Sequence, residues 1–219
     1  VPMLNPDGRM AESRYNAHDV DLNTNYPYSW DPSHEPYAGP SPLSEPETQG
    51  LMNLVAQYSI YFALDMHSGA ECMVYPWDSI LDPPPHEEAF IAIAEDMIEA
   101  TESHGYRCTP PEGWEHFYKE GSHWYLVWGS WIEELYGAHT APSGAPIIPY
   151  VIEVYGNGYN PPTEQEKNKV CQKYYWMQLE IAIKTVTTTD AAATVKQLPE
   201  NVKPGETVSF KASAVNIGT

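Results

Sequence analysis

The sequence predicts an α/β domain, with helices layered on a sheet, followed by the opening of an all-β module. Three observations carry this. Segments with helical spacing of apolar residues alternate with short apolar runs of strand length, the pattern of layered α/β folds. The chain of 219 residues is 42% apolar, with 16 Tyr and 7 Trp, enough for a packed core and unlike an intrinsically disordered chain. Its character also changes between about Thr185 and Ala193. The first 187 residues hold 27 acidic and 8 basic residues, which account for the whole net charge of -19, whereas the rest is neutral and keeps only Phe210 as an aromatic.

The elements follow in order. Residues 1 to 44 read as irregular, since Pro recurs at 6, 27, 32, 36, 40 and 42 and disfavours helix in its own residue and the one before. A loop of this length in a compact domain is usually functional. A helix begins near Glu45: Ser44 and Glu47 have capping-box spacing, Pro46 suits the first turn, and Leu51, Leu54, Val55 and Tyr58 give helical spacing. Tyr58 to His67 is an apolar run suited to a buried strand, and Cys72 to Trp77 reads as another. Residues 86 to 104 form a second helix, stopped by Gly105. The stretch 107 to 145 is rich in Gly, Trp and Tyr, with a short helix over Trp124 to Leu135. Pro149 to Tyr155 is a β-branched strand. Thr163 with Glu166 then opens a long helix to about Lys184. After Val195, Pro204-Gly205-Glu206 marks a turn, and Val208, Phe210, Ala212 and Ala214 alternate with polar residues, as in the first strands of a β-sandwich.

Composition excludes several functions. The acidic chain lacks the Lys and Arg that neutralise phosphates, which argues against nucleic acid as a partner and against an anionic membrane surface. No run approaches 18 apolar residues, so membrane insertion is not expected. The chain opens on Val1-Pro2 and ends at Thr219 directly after an alternating run, so it is read as a fragment of a larger parent. Cys72, Cys108 and Cys171 are an odd set that defines no disulfide framework. Buried free thiols, or one disulfide and a spare thiol, both fit.

Four residues carry chemistry. His67 ends a buried strand, where α/β sheets place ligands, and a neutral imidazole there suits a metal; alone, it reads equally as a structural histidine. Glu153 is the one charged residue in an apolar strand. Burial raises such a carboxyl's pKa, which suits a general base, although an outward-facing residue would also fit. Arg14 is a scarce cation in an Asn-rich and Pro-rich loop and could steady an oxyanion or grip a carboxylate. Tyr118 lies in a stretch hinged by Gly121 and could close over a substrate.

The order of motifs is more specific than any one of them. Asn5-Pro6-Asp7-Gly8 is followed by Arg14-Tyr15-Asn16, by Asp21-Leu22-Asn23-Thr24-Asn25, and by Gly39-Pro40-Ser41-Pro42-Leu43-Ser44-Glu45-Pro46-Glu47-Thr48. A strand ending in His, a Tyr-bearing Gly-rich stretch and a strand carrying Glu come next. Over residues 1 to about 185 this resembles the zinc carboxypeptidases of the carboxypeptidase A/B type. The resemblance implies a three-layer α/β/α domain with a mixed sheet over residues 1–187, incomplete at its N-terminus. Residues 188–219 are then a linker and the first strands of an immunoglobulin-like β-sandwich module, similar to adhesion-type modules of surface proteins. It implies a zinc metallopeptidase acting on the C-termini of extracellular peptides, secreted or cell-surface attached, with further immunoglobulin-like domains in the parent.

By the same resemblance, His67 is a zinc ligand, Glu153 the general base and then acid, and Arg14 the stabiliser of the oxyanion. Asn23 and Tyr118 bind substrate beside Arg14. One Zn2+ is implied, with two further ligands in an H-x-x-E motif upstream of this chain. The family's carboxylate-clamping arginine is replaced by Thr24. Two other readings stay open: a non-catalytic surface module of the same fold and, favoured by that departure, a zinc amidase on cell-wall or modified peptides. One imidazole is not a zinc site, so the 219-residue piece should bind zinc weakly. A titration of the isolated piece showing tight, stoichiometric zinc binding would overturn that expectation.

Overall fold

The computed structural model describes residues 1, 3–139, 144, 146–158, 160–188, 191–195 and 212–216. Its elements are α1 (Pro6–Ala11), α2 (Pro46–Gln57), β1 (Phe62–His67), β2 (Glu71–Tyr75), α3 (Glu87–Ser103), β3 (Tyr118–Glu120), α4 (Trp131–Ala138), β4 (Ile148–Val154), α5 (Glu164–Thr188), β5 (Ala191–Val195) and β6 (Ala212–Asn216). Strands β1, β4, β2 and β3 lie side by side in that order in a mixed sheet. β1 pairs with β4 in parallel, β4 with β2 antiparallel, and β2 with β3 in parallel.

Helices cover both faces, which makes three layers. On one face, Phe90, Ala94 and Met97 of α3 and Tyr174, Met177 and Ile181 of α5 pack on Met73, Tyr118, Tyr150 and Ile152. On the other, Trp131, Ile132 and Leu135 of α4, with Leu51 and Val55 of α2, pack around Val74 and Val151. β4 is central and buried on both sides, so it reads as an unbroken apolar run and not an alternating one. Gly105 stops α3 with a φ of +85°, a left-handed cap for which glycine carries no Cβ penalty.

Some expected details differ. Helix α2 starts at Pro46, but its N-cap is Glu45 and has no side-chain capping bond. Ser44 donates to the Glu45 carboxylate instead, so the Ser44–Glu47 capping box is not made. β1 begins at Phe62, because residues 58–61 are taken up by the exit from α2. The short helix lies at Trp131–Ala138, capped by Ser130 through Glu133 N–H, and not at 124–135. The supposedly irregular N-terminal stretch contains α1 and a 3-10 turn at Leu22–Thr24. All three cysteines are free thiols; Cys72 and Cys108 are buried and Cys171 is exposed. β5 and β6 form a separate antiparallel pair, and Val208 and Phe210, expected to open the β-sandwich, lie outside the described residues.

A polar knot ties the end of β2 to α4. Glu133, fully buried, accepts from the N–H groups of Asp78 and Ser79 and from the Ser79 hydroxyl. Asp78 is also buried. Burial pushes its carboxyl up to about 7; Ser130 and His67 favour the charged form, but the neighbouring charges of Glu133 and Glu120 oppose it. A carboxyl that keeps its proton to about pH 7 when folded, but loses it near 4 when unfolded, binds more protons folded throughout that window. Stability therefore falls as pH rises from about 4 to 7. Asp78→Asn should remove this cost. Thermal denaturation should show the variant more stable than the parent at pH 8, by roughly 3–4 kcal/mol, with the gap closing toward pH 4. A pH-independent gap would refute the assignment.

Candidate active site

The parallel register sets His67 of β1 against Glu153 of β4. Both share the sheet face of Val151 and Ala63, turned toward α2 and α4, because side chains alternate along a strand. His67 Nδ1 lies 3.8 Å from Glu153 Oε1, and its Nε2 lies 3.1 Å from Asp65 Oδ2. Burial disfavours the charged imidazole, but the Asp65 carboxylate and, less, that of Glu153 outweigh it and push the ring up to about 9.

Glu153 faces inward, which excludes the outward-facing alternative: the residue is 5% exposed. Burial raises its pKa, against the opposing effects of His67, the Ala70 N–H and Arg14. Its Oε2 is buried without a hydrogen-bond partner in this structure. Such an orphaned acceptor calls for a donor from a water, ion or substrate.

The N-terminal loop brings the cation. Asn5 caps α1 through the Gly8 N–H and donates to the Arg14 carbonyl. A Cβ at Gly8 would sit 2.3 Å from the Asn5 side chain and 2.7 Å from the Ser13 carbonyl, so Asn-Pro-Asp-Gly is a bracket for the loop that carries Arg14. Arg14 Nε is bonded to Asp21. Its charge is felt at Asp65, His67, Glu153 and Tyr125, so it lies over the same end of the sheet. Burial opposes the guanidinium charge, and Asp21 more than restores it.

Asn23 and Thr24 sit on the 3-10 turn next to Asp21. The Asn23 Oδ1 is buried and without a partner. Thr24 is buried, and its hydroxyl donates to the Asp21 carbonyl, so it holds the turn and does not replace an arginine clamp. Asn16, Asn25 and Glu45 staple this loop to α2. Asn16 Nδ2 donates to Glu45 Oε2 at 2.7 Å. Asn25, fully buried, donates to the carbonyls of Ala38 and Ser41 and accepts from Thr48.

Tyr118 is not at this site. It stands on β3 opposite Met73, on the sheet face that packs against α3, and its hydroxyl donates to Glu95. The tyrosine near the site is Tyr125, which sequence reasoning missed. It is half-exposed. Burial pushes its phenol up to about 12, Glu153, Asp78 and Asp21 add to that, and Arg14 opposes it. The turn Gly121–His123 precedes it, so this tyrosine, not Tyr118, follows the glycine hinge.

The arrangement places a buried carboxylate, a cation and an imidazole at one end of the sheet. His67 can give one nitrogen to a metal, and the partnerless Oε2 of Glu153 fits a metal-activated water. Among the described residues, no group of three His, Cys, Asp or Glu is placed to hold a metal ion.

A family model described as zinc carboxypeptidase matches residues 1–175. Human carboxypeptidase A5 is 33% identical over 89 residues, which is 37% of this chain and 20% of that protein. Murein peptide amidase A of Escherichia coli (strain K12) is 33% identical over 96 residues, covering 37% of this chain and 40% of that protein. The chain thus spans less than half the length of these relatives. The structure of bovine thrombin-activatable fibrinolysis inhibitor in complex with tick carboxypeptidase inhibitor superposes with a TM-score of 0.64 at 19% identity, over 86% of this chain and 69% of that one. With the motifs, the three-layer fold and the model match in agreement, the chain belongs to the zinc carboxypeptidase family.

Proposed function

We propose that the parent protein is a zinc-dependent carboxypeptidase that hydrolyses C-terminal peptide bonds of extracellular peptides. The observation that supports this best is the partnerless, buried Oε2 of Glu153 beside His67, with Arg14 over the same sheet end. When bound, zinc supplies a lowered water pKa, to about 7, and a polarised carbonyl. His67 would give it one imidazole, and the two further ligands would come from the part of the family fold that this chain does not span.

Within that frame, Glu153 accepts the proton of the attacking water at Oε2 and returns it to the leaving amine. Its inward setting and raised pKa suit both halves of that exchange. Arg14 offsets the charge that develops on the carbonyl oxygen, with its Nε held by Asp21. Asn23 would donate from its amide Nδ2 to the substrate's terminal carboxylate, and Tyr125 takes the covering role first expected of Tyr118. The extracellular or cell-surface setting, and further immunoglobulin-like domains, rest on the sequence pattern after Val195 alone.

A second reading keeps the same chemistry on a different bond. Thr24 cannot grip a carboxylate, since its hydroxyl is committed to Asp21, and one relative is a murein peptide amidase. That favours an amidase acting on cell-wall or modified peptides.

In the zinc-loaded parent, Glu153→Gln should lower kcat by on the order of 10²–10⁴-fold while zinc content, measured by elemental analysis, stays at the parental level. Unchanged turnover would overturn the assignment of the base. Peptides differing only in a free or amidated C-terminus separate the two readings. The carboxypeptidase should favour the free acid by at least about tenfold, the size of one good polar contact; equal rates would favour the amidase.

A further inference from the structure

The end of β4 that carries Glu153 is gripped by α5 from the face opposite the site. Glu153 turns its carboxylate toward α2 and α4, but its main-chain carbonyl accepts from the buried hydroxyl of Tyr174 at 3.2 Å. Lys173, the neighbour of Tyr174 on α5, is 7% exposed, and its ammonium is bonded to Glu71. Glu71 opens β2 and is the ladder partner of Val154. It shares the face of Met73, which packs against α5 residues, because side chains alternate along a strand. Consecutive residues of one helix thus hold both strands of the β2–β4 ladder at the end that borders the site.

A buried ammonium is a costly way to fill space. Its desolvation is offset by one carboxylate at best, and an apolar side chain of similar volume often serves stability as well or better. The rings of Phe117 and Tyr174, 4.9 and 5.1 Å from Lys173 Nζ, add a weaker compensation. What the ion pair supplies beyond packing is direction, since it holds the Glu71 carboxylate at one point. The segment that Glu71 anchors is the turn after His67. Ser68, Gly69 and Ala70 alone separate His67, the last residue of β1, from Glu71. Gly69 has a φ of +126°, a conformation that glycine adopts without a Cβ penalty, and its N–H donates to the Tyr155 carbonyl at 3.0 Å. The Ala70 N–H turns to the Glu153 carboxylate. One end of this turn is fixed by the β1–β4 register and the other by Glu71.

We propose that Lys173 is a positioning residue for the hydrolytic reaction: through Glu71 it holds the turn 68–70 against Glu153 and so fixes the direction of that carboxylate. Lys173 touches neither the substrate nor the reacting atoms, and it acts from the far face of the sheet. Tyr174 supports the same strand end by its bond to the Glu153 carbonyl. The inference rests on the peptidase reading above.

The test uses the zinc-loaded parent and variants of it, compared at a temperature where all are folded. The double variant Glu71→Met/Lys173→Met removes both charges and leaves no buried ion unpaired, so the fold should persist. Its kcat should fall by roughly tenfold, as expected of a slightly misaimed group, with KM within about twofold of the parent. Lys173→Arg keeps the ion pair and should retain most of the parental kcat. Glu71→Gln, a milder change at a half-exposed side chain, should lower kcat in the same way but less. Parental kcat in the double variant and in Glu71→Gln, or a Lys173→Arg as impaired as the double variant, overturns the proposal and leaves the peptidase reading intact. Amide hydrogen exchange gives a readout that needs no turnover. Gly69 and Ala70 should exchange roughly tenfold faster in the double variant than in the parent, with β1 unchanged; equal protection overturns the proposal. Should the parent cleave no peptide, the peptidase reading fails separately, and this exchange decides whether Lys173 holds the turn against Glu153.

Discussion

Parallel pairing of β1 with β4 holds His67 opposite Glu153, and the rest of the site is arranged around that pair. A one-residue slip would turn every side chain of β1 to the other face, carrying His67 into the layer of α3 and α5. The burial of both faces of β4 prevents the slip, since Tyr150 and Ile152 have one set of partners and Val151 another. The same burial raises the Glu153 pKa. Apolar packing therefore both positions the carboxylate and raises its proton affinity.

The long loop that crosses the end of this sheet is organised by amides and carboxylates, not by apolar contact. Asn5, Asn16, Asn25 and Glu45 each bond across many residues of sequence, and three of them are buried. A buried amide with its partners in place is worth little net, but one left without them is costly. Such a network therefore defines one arrangement sharply. It holds Arg14, bonded to Asp21, and the Leu22–Thr24 turn with little flexible chain between them.

Much of this could be read in the sequence because it depends on local pattern. The apolar runs marked β1, β2 and β4, the glycine at 105 marked the end of α3, and Glu153 stood out as a charge inside an apolar strand. Tyr118 shows where that reasoning stops. It follows His116-Phe117 much as Tyr125 follows His123-Trp124, and only the pairing of β3 with β2 reveals that it faces α3. The Asn-rich motifs were visible, but their work as staples was not, since it depends on partners 20 to 30 residues away. The Ser44–Glu47 box failed because the Glu45 carboxylate, buried for Asn16 and His18, claims the Ser44 hydroxyl first.

The β1–β4 pairing has a further consequence for biogenesis. Phe62 finds its partner at Ile148, so β1 leaves the ribosome well before β4 exists. At roughly 5–20 residues per second, the apolar strand waits several seconds with that edge unpaired. Long-range parallel pairing is also slow to form once both strands are present. The nascent chain therefore passes through a period in which the β1 edge that β4 will cover is open to wrong partners, and chaperone protection during synthesis matters most while α3 and the loop after it are being made.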